Sequence, residues 1–250
     1  MKKFIFTILA LVGTMSMNAQ VTQVMNIKKN GVVVATFKAD QADEVEFKEV
    51  TIPTTGTAKA TINGSEVDVN WVQLWENGPK FAEYNVGVTD GKAESYGGYY
   101  TWGGKYKNEI GIAWNGSSNY SSDALTGTDD TANYFWGENW RMPTKAEFEG
   151  LLNSDNCDVE WTNDYNGTGI IGIIFTGKNE YSSNSVFLPV AGCCIAGGFQ
   201  NQDKCGYYWA STINASDHKG DFLYFRSDLQ IVGTYDRSNA HSVRAVLVEE

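Results

Sequence analysis

The strongest local constraint on the fold is a helix-start signal in the middle of the chain. Thr144 occupies the N-cap position and Glu147 follows three residues later. Together they form a capping box, in which side-chain oxygens accept hydrogen bonds from backbone N–H groups that would otherwise be unpaired. Phe148, Leu151 and Leu152 then share one helical face. The sequence therefore predicts one helix that runs to Leu152 and packs on a core.

The chain after residue 57 otherwise alternates short strand patterns with long polar loops. Strands predicted at 58–62 and 67–74 flank Asn63-Gly64, a hairpin dipeptide whose two residues tolerate positive φ. Residues 115–132 form a long polar loop. Further strands are predicted at 169–175, 186–190, 222–225, 230–234 and 242–248. These patterns predict an α+β domain of short strands and long loops with few helices.

The N-terminus has the order of a secretory signal peptide. Lys2 and Lys3 precede an apolar run at 4–13, and a more polar stretch ends at Ala19. The run is too short to span a membrane, and no later stretch is apolar enough to do so. We predict a signal peptide at 1–19 and export of the chain; the alternative is a buried N-terminal helix. The segment has no cysteine, so a lipid anchor is not expected.

Residues 20–50 form a small N-terminal β unit by pattern. Strands at 25–29 and 32–37 flank Asn30-Gly31, and 45–47 alternates apolar and polar residues. A unit of this size is marginal alone, so we expect it to pack on the rest of the chain or on another protein. Residues 51–57 are the predicted linker, and 58–250 the main domain.

The charge balance excludes some partners. The chain has 19 basic and 30 acidic residues and a net charge of -11. An acidic chain without a basic cluster is a poor binder of nucleic acid or anionic membranes. Aromatic residues make up 13% of the chain, including eight tryptophans, so a packed core is expected rather than disorder.

The cysteines leave two alternatives open. An even number in an exported protein permits two disulfides, for instance Cys157 with Cys193 or Cys194, and Cys205 with the other. The alternative is four buried free thiols. A zinc site is not favoured, because there is no C-x-x-C pair and the chain has two histidines.

Six segments of the chain form a recognisable set. They are 81–87 (FAEYNVG), 96–103 (YGGYYTWG), 136–144 (WGENWRMPT), 186–192 (VFLPVAG), 206–212 (GYYWAST) and 242–246 (SVRAV). In this order they resemble the Fibrobacter succinogenes major paralogous domain, a branch of the C-type lectin-like fold found in exported proteins of Gram-negative anaerobes. The resemblance covers roughly 67–248. It implies a C-type lectin-like domain in a secreted, periplasmic or outer-surface protein of a Gram-negative bacterium.

Most conspicuous residues of these segments are expected to build the scaffold. Trp136, Trp140 and Trp209 should fill the core, with each indole N–H seeking an acceptor. Arg141 and Arg244 should bind carboxylates or carbonyl oxygens inside the domain.

Calcium is not expected as a cofactor. The parent lectins hold calcium with Glu-Pro-Asn or Gln-Pro-Asp motifs and a Trp-Asn-Asp strand, and this chain has neither loop motif; 161–164 (WTND) is off pattern. Asp129 and Asp130 offer oxygen ligands, but two loop aspartates are more often simply solvated. We predict no metal site, with calcium at this pair as the alternative.

Enzymatic activity is not expected either. Formylglycine-generating enzymes of similar fold use a cysteine pair near the C-terminus, and here no cysteine follows 206–212. His218 and His241 lie in segments expected to be loops, without a nucleophile motif nearby. An oxidase of this kind is the least favoured hypothesis.

Two late polar loops, 214–219 and 234–239, are the candidate binding region. Their residues combine planar surface with hydrogen-bonding groups, although such residues also populate ordinary loops. The function predicted is an exported ligand-binding or adhesion module that recognises carbohydrate or protein at the cell surface. The alternative is a structural surface or assembly component. The candidate ligand-binding residues are Asp217, His218, Tyr235, Asp236, Arg237 and Asn239.

Overall fold

The computed structural model describes residues 24–29, 32–38, 53–104, 124–195, 198–214 and 219–248. The predicted signal peptide and the predicted strand at 45–47 lie outside these ranges. The chain divides into two compact units, Met1–Ile52 and Pro53–Glu250. No helix within the described ranges is long and apolar enough to cross a membrane.

The described residues of the first unit form an antiparallel pair of strands, β1 (Val24–Lys29) and β2 (Val32–Lys38). Thr36 lies opposite Asn26, and its hydroxyl donates to Asn26 Oδ1 at 2.7 Å. The register shifts after Ile27, where the ladder is irregular. The two strands predicted around Asn30-Gly31 are therefore confirmed.

The second unit is mostly β-sheet, with two α-helices among its described residues. Its helices are α1 (Thr131–Trp136) and α2 (Lys145–Leu152). Its strands are β3 (Thr55–Ile62), β4 (Ser65–Gln73), β5 (Lys80–Ala82), β6 (Trp140–Arg141), β7 (Cys157–Thr162), β8 (Gly172–Gly177), β9 (Ser185–Pro189), β10 (Cys193–Ile195), β11 (Gly198–Gln200), β12 (Gly206–Asn214), β13 (Lys219–Arg226), β14 (Leu229–Tyr235) and β15 (Val246–Leu247).

These strands form four sheets. The largest has five strands in the order β3-β4-β5-β15-β6, so the C-terminal strand is inserted between two early ones. Two three-stranded meanders follow, β7-β8-β9 and β12-β13-β14, and β10 pairs with β11. The chain therefore has the coarse fold that the sequence predicts: short strands, long connections and few helices.

The predicted linker 51–57 is too long at its C-terminal end. The chain divides between Ile52 and Pro53, inside the predicted range, but β3 already begins at Thr55. Gly56 pairs with Trp71, and a Cβ atom at Gly56 would lie 2.7 Å from the Trp71 ring. This glycine marks close packing in a strand rather than a flexible connection.

The predicted turn and the predicted helix start are both confirmed. Asn63 and Gly64 join β3 to β4 with φ of 52° and 77°. At α2, Thr144 Oγ1 accepts from Glu147 N at 3.3 Å, and Glu147 Oε2 accepts from Thr144 N at 2.7 Å. The helix buries Phe148 and Leu151.

Two predictions about local structure were wrong. The C-terminal end of the predicted 115–132 loop contains the start of α1, which Asp130 caps by accepting from Ala132 N and Asn133 N. The predicted strand 242–248 is reduced to β15. Before it, Val243 O accepts from Val86 N, which anchors the chain to a loop instead of a ladder.

The core has three clusters. The first joins β3–β5 to α1, β6 and one face of the β12-β13-β14 sheet, with Trp102, Trp140 and Trp209 fully buried in it. The second packs α2 and the β7-β8-β9 sheet on the other face of β12-β13-β14. A small third cluster surrounds Tyr99.

All four cysteines are free and buried, so the disulfide pairs considered from the sequence are not formed. Cys157 belongs to the second core cluster, whereas Cys193 and Cys205 belong to the first and Cys194 to the third. Burial raises the pKa of the Cys157 thiol to about 12 and that of Cys193 to about 11. These thiols fill apolar space.

Candidate functional site

The candidate site lies on the β12-β13-β14 sheet, on the face that packs on the first core cluster. The register places Tyr207 opposite Tyr224, and Trp209 opposite Phe222. Tyr235 lies opposite Gly220 on the same face, because paired and alternate residues of a sheet point the same way. We call this surface the aromatic face; its rings are those of Tyr207, Trp209, Phe222, Tyr224 and Tyr235.

The aromatic face is buried over β12 and becomes accessible along β14. Trp209 is fully buried and Phe222 nearly so, whereas Tyr224 and Tyr235 are half-buried. Ile231, on the same face of β14, is 42% exposed. Apolar groups left uncovered in a row are typical of interaction surfaces.

Gly233 carries no side chain on this face. It lies between Ile231 and Tyr235 and opposite Phe222. A Cβ atom built on Gly233 would meet Phe222 Cε1 at 3.5 Å and Ile231 Cδ1 at 4.0 Å, which are ordinary contact distances. The missing side chain therefore leaves a recess that admits a Cβ atom and is bordered by Phe222 and Ile231; we call it the recess over Gly233.

A polar turn follows Tyr235 directly. Asp236 Oδ1 accepts from Ser238 N at 2.9 Å and from Ser238 Oγ at 2.7 Å, which closes the turn. These two bonds, more than any nearby charge, hold the pKa of Asp236 below its usual value. Asn239 Nδ2 donates to Asp236 O at 3.3 Å. The aromatic edge is thus bordered by a carboxylate, a hydroxyl and an amide.

The structure brings three of the six predicted contact residues together, and corrects a fourth. Tyr235, Asp236 and Asn239 lie in one stretch at the edge of the aromatic face. Arg237 does not face solvent: it is 5% exposed, and its guanidinium lies 5.3 Å from the ring centre of Trp102. It is a buried packing residue rather than a contact residue.

The other two predicted residues, Asp217 and His218, lie outside the described ranges. The strands that flank them are described: Lys219 begins β13, and the next residue, Gly220, pairs with Tyr235. The two predicted loops therefore leave the sheet at the same end, as the hypothesis of one shared region requires.

Sequence reasoning missed His241, which it placed in a loop. The imidazole is fully buried and stacks on Trp209, with ring centres 3.9 Å apart and planes 22° apart. The rings of Tyr207 and Tyr235 have their centres 5.3 Å from that of His241. Burial lowers the pKa of His241 to about 3, so the ring is neutral at physiological pH. No local pattern signals this position, because its neighbours come from β12, β13 and β14.

The aspartate pair considered for calcium is divided between two environments. Asp130 is buried, and its carboxylate accepts from Ala132 N, Asn133 N and Met142 N. Burial raises the pKa of Asp130 to about 6. Asp129 is exposed. The carboxylate of Asp130 thus joins α1 to the chain before α2, and within the described residues no three acidic, histidine or cysteine side chains are grouped for a metal.

The two arginines of the scaffold bind as the sequence predicts. Arg141 donates to both oxygens of Glu147, at 2.8 and 2.6 Å. Arg244 is fully buried and donates to Asn85 Oδ1 at 2.9 Å and Phe187 O at 3.0 Å. Two of the three tryptophans expected to find acceptors do so: Trp140 Nε1 donates to Lys59 O and Trp209 Nε1 to Tyr100 O, both at 2.8 Å.

Comparisons of this chain with protein-family models, with curated proteins and with solved structures found no match.

Proposed function

We propose that this protein is an exported recognition module that binds a neutral saccharide on the aromatic face. The observation that carries the proposal is the junction of two half-buried rings, Tyr224 and Tyr235, with the polar turn that begins at Asp236. Binding sites of small ligands combine apolar surface with a few placed polar groups in this way.

The chemistry of the face suits a sugar ring. A pyranose has apolar C–H patches and a rim of hydroxyl groups. Tyrosine offers a flat, stiff apolar surface with a polar tip and loses little conformational freedom on binding. Asp236 can accept from hydroxyl groups, and Asn239 can both donate and accept.

The charges around the face favour a neutral ligand. Arg226 Nε is paired with Asp228 Oδ1 at 2.8 Å. Arg237 and Lys219 also contribute to the low pKa of Asp236, so the carboxylate has positive charges near it. With a net charge of -11, the chain as a whole repels anionic ligands.

The C-type lectin-like fold and export are part of the same proposal. The six segments that resemble the major paralogous domain supply much of the buried scaffold, including Trp102, Trp209 and Arg244. The short strands and long connections are compatible with that fold. The order of charged, apolar and small residues at 1–19 supports export.

The second candidate is a structural or assembly component. It is favoured by the division of the chain at Ile52, because a separate small β unit can dock on a partner without involving the aromatic face. We propose no enzymatic activity.

A glycan-array screen of purified chain 20–250, with calcium and again with chelator, tests the proposal. We expect selective binding that survives chelation, because the proposed contacts are aromatic and hydrogen-bonding. Tyr235→Ala should weaken binding about tenfold, as removal of a central aromatic contact does. The matched control is Tyr134→Ala on α1, a tyrosine that is 47% exposed and should leave binding unchanged.

A folded sample that binds no glycan would reject the saccharide and turn the search to protein partners. Binding that is lost in chelator would instead point to a metal-dependent site outside the aromatic face.

A further inference from the structure

His241 has two hydrogen-bonding atoms that the described part of the chain leaves unused. Neither Nδ1 nor Nε2 has a hydrogen-bond partner there, and the side chain is fully buried. A neutral imidazole carries one N–H donor and one acceptor nitrogen. Buried polar groups are nearly always paired, so two unpaired nitrogens on one ring require a reason.

The side chain of His241 lies among aromatic rings. Trp209 stacks on the imidazole, and the ring centres of Tyr207, Phe222 and Tyr235 lie 5.3 to 5.4 Å from the imidazole centre. Of these four rings, only Tyr235 is half-buried; Trp209, Phe222 and Tyr207 are buried. Tyr235 is therefore the ring that lies between His241 and the accessible part of the aromatic face.

Two glycines beside Tyr235 differ in the space that they leave on the aromatic face. Across the ladder, the space at Gly220 is filled by Trp102, whose Cδ1 would lie 2.6 Å from a Cβ atom there. Two residues earlier on β14, a Cβ atom at Gly233 would make only ordinary contacts with Phe222 and Ile231. Tyrosine rotamers lean either way along a strand, so rotation about the Tyr235 side-chain bonds turns the ring towards Gly233 rather than towards Gly220.

We propose that Tyr235 is a mobile cover over His241, and that His241 hydrogen-bonds a hydroxyl group of the saccharide when the ring moves onto Gly233. The proposal rests on the proposed function, since it assigns a residue of the same site. A sugar hydroxyl is both donor and acceptor, so it matches either free nitrogen of a neutral imidazole. After this movement the Tyr235 ring lies next to the bound sugar and no longer covers His241.

Diethylpyrocarbonate labelling tests the cover without any sugar. The reagent acylates an accessible neutral imidazole nitrogen and releases ethanol and carbon dioxide, and mass spectrometry resolves the two histidines of this chain. His241 should react slowly in the wild-type chain and about tenfold faster in Tyr235→Ala, because labelling follows the fraction of open molecules. Gly233→Val fills the recess and should slow the reaction several-fold, with Gln230→Val on the opposite face of β14 as its control.

Equal His241 labelling in wild type and in a folded Tyr235→Ala would overturn the cover. Equal labelling in wild type and Gly233→Val would overturn the direction of its movement.

The proposed hydrogen bond between His241 and the ligand is tested with a saccharide that binds in the glycan array. Bound saccharide should protect His241 from the reagent in Tyr235→Ala, and His241→Phe, which keeps an aromatic ring on Trp209, should weaken binding about tenfold. Unchanged affinity of His241→Phe would overturn the hydrogen bond while leaving saccharide binding intact. If no glycan binds in the array, the proposed function and the His241 hydrogen bond are both rejected. The labelling results still test whether Tyr235 covers His241.

Discussion

The side chain and the backbone of Arg237 both contact Trp102, which lies far from it in the sequence. Its guanidinium lies over the Trp102 ring, and its carbonyl oxygen accepts from Trp102 N at 3.2 Å. The long aliphatic stem of an arginine also covers apolar surface, so truncation removes packing as well as charge. The contact residue expected from sequence is thus a structural one.

Arg237→Ala should lower the free energy of unfolding by about 1–3 kcal/mol, since it removes a desolvated cation–π contact and buried stem atoms. Urea unfolding followed by tryptophan fluorescence measures the change. The control is Arg226→Ala, whose exposed pair with Asp228 should contribute about 0–1 kcal/mol. A normal unfolding curve for Arg237→Ala combined with weakened glycan binding would restore Arg237 to the ligand contacts.

The difference between Tyr235 and His241 shows how far single residues can be predicted. Tyr235 is identified from sequence because a tyrosine followed by Asp, Arg, Ser and Asn is typical of a contact loop. His241 gains its role from rings that lie on three other strands, and Gly233 from its position opposite Phe222. Neither arrangement can be predicted from the neighbouring residues in the sequence.

Among the elements, those with complete local signals were predicted and the short ones were not. The strand pair β1-β2, the hairpin at 63–64 and the capped helix α2 need only neighbouring residues, and all three are present. The strands β5, β6 and β15 have two or three residues each and exist because they are paired with one another across the five-stranded sheet. The helix α1 has six residues, too few for an apolar period to be visible.

The cap of α2 gives a prediction at this scale. Thr144→Ala removes the acceptor of the Glu147 N–H group and should lower the free energy of unfolding by about 1 kcal/mol. Thr126→Ala is the matched control, because Thr126 precedes a short 3-10 turn and makes no side-chain cap bond. Chemical unfolding at neutral pH compares both variants with wild type; equal stability of the two would mean that the docked face of α2, rather than its cap, fixes the helix.

For the whole molecule, two buried titratable groups give the stability a dependence on pH with opposing signs. The folded-state pKa of His241 is about 3, against an ordinary value of 6.5, so between these values only the unfolded chain binds the proton. Stability from His241 is therefore present above about pH 6.5 and is lost as the pH falls towards 3. Asp130 has a folded-state pKa of about 6 against 3.8, so its contribution is present at low pH and is lost as the pH rises through 6.

These two contributions partly cancel, so the pH dependence of wild-type stability alone does not isolate His241. The difference in the free energy of unfolding between wild type and His241→Phe does isolate it. That variant keeps Asp130 and the ring stacked on Trp209 but removes the titration. The stability of wild type relative to His241→Phe should fall by roughly 1.4 kcal/mol for each pH unit between about 6 and 4. At pH 7.5, phenylalanine should be at least as stable as histidine, since it leaves no unpaired nitrogen. Urea unfolding of both chains at pH 7.5, 6 and 4.5 measures the difference. If the stability of both chains changes equally with pH, His241 binds its proton as readily in the folded chain as in the unfolded chain. Water or a neighbouring acceptor would then reach the imidazole behind the Tyr235 ring.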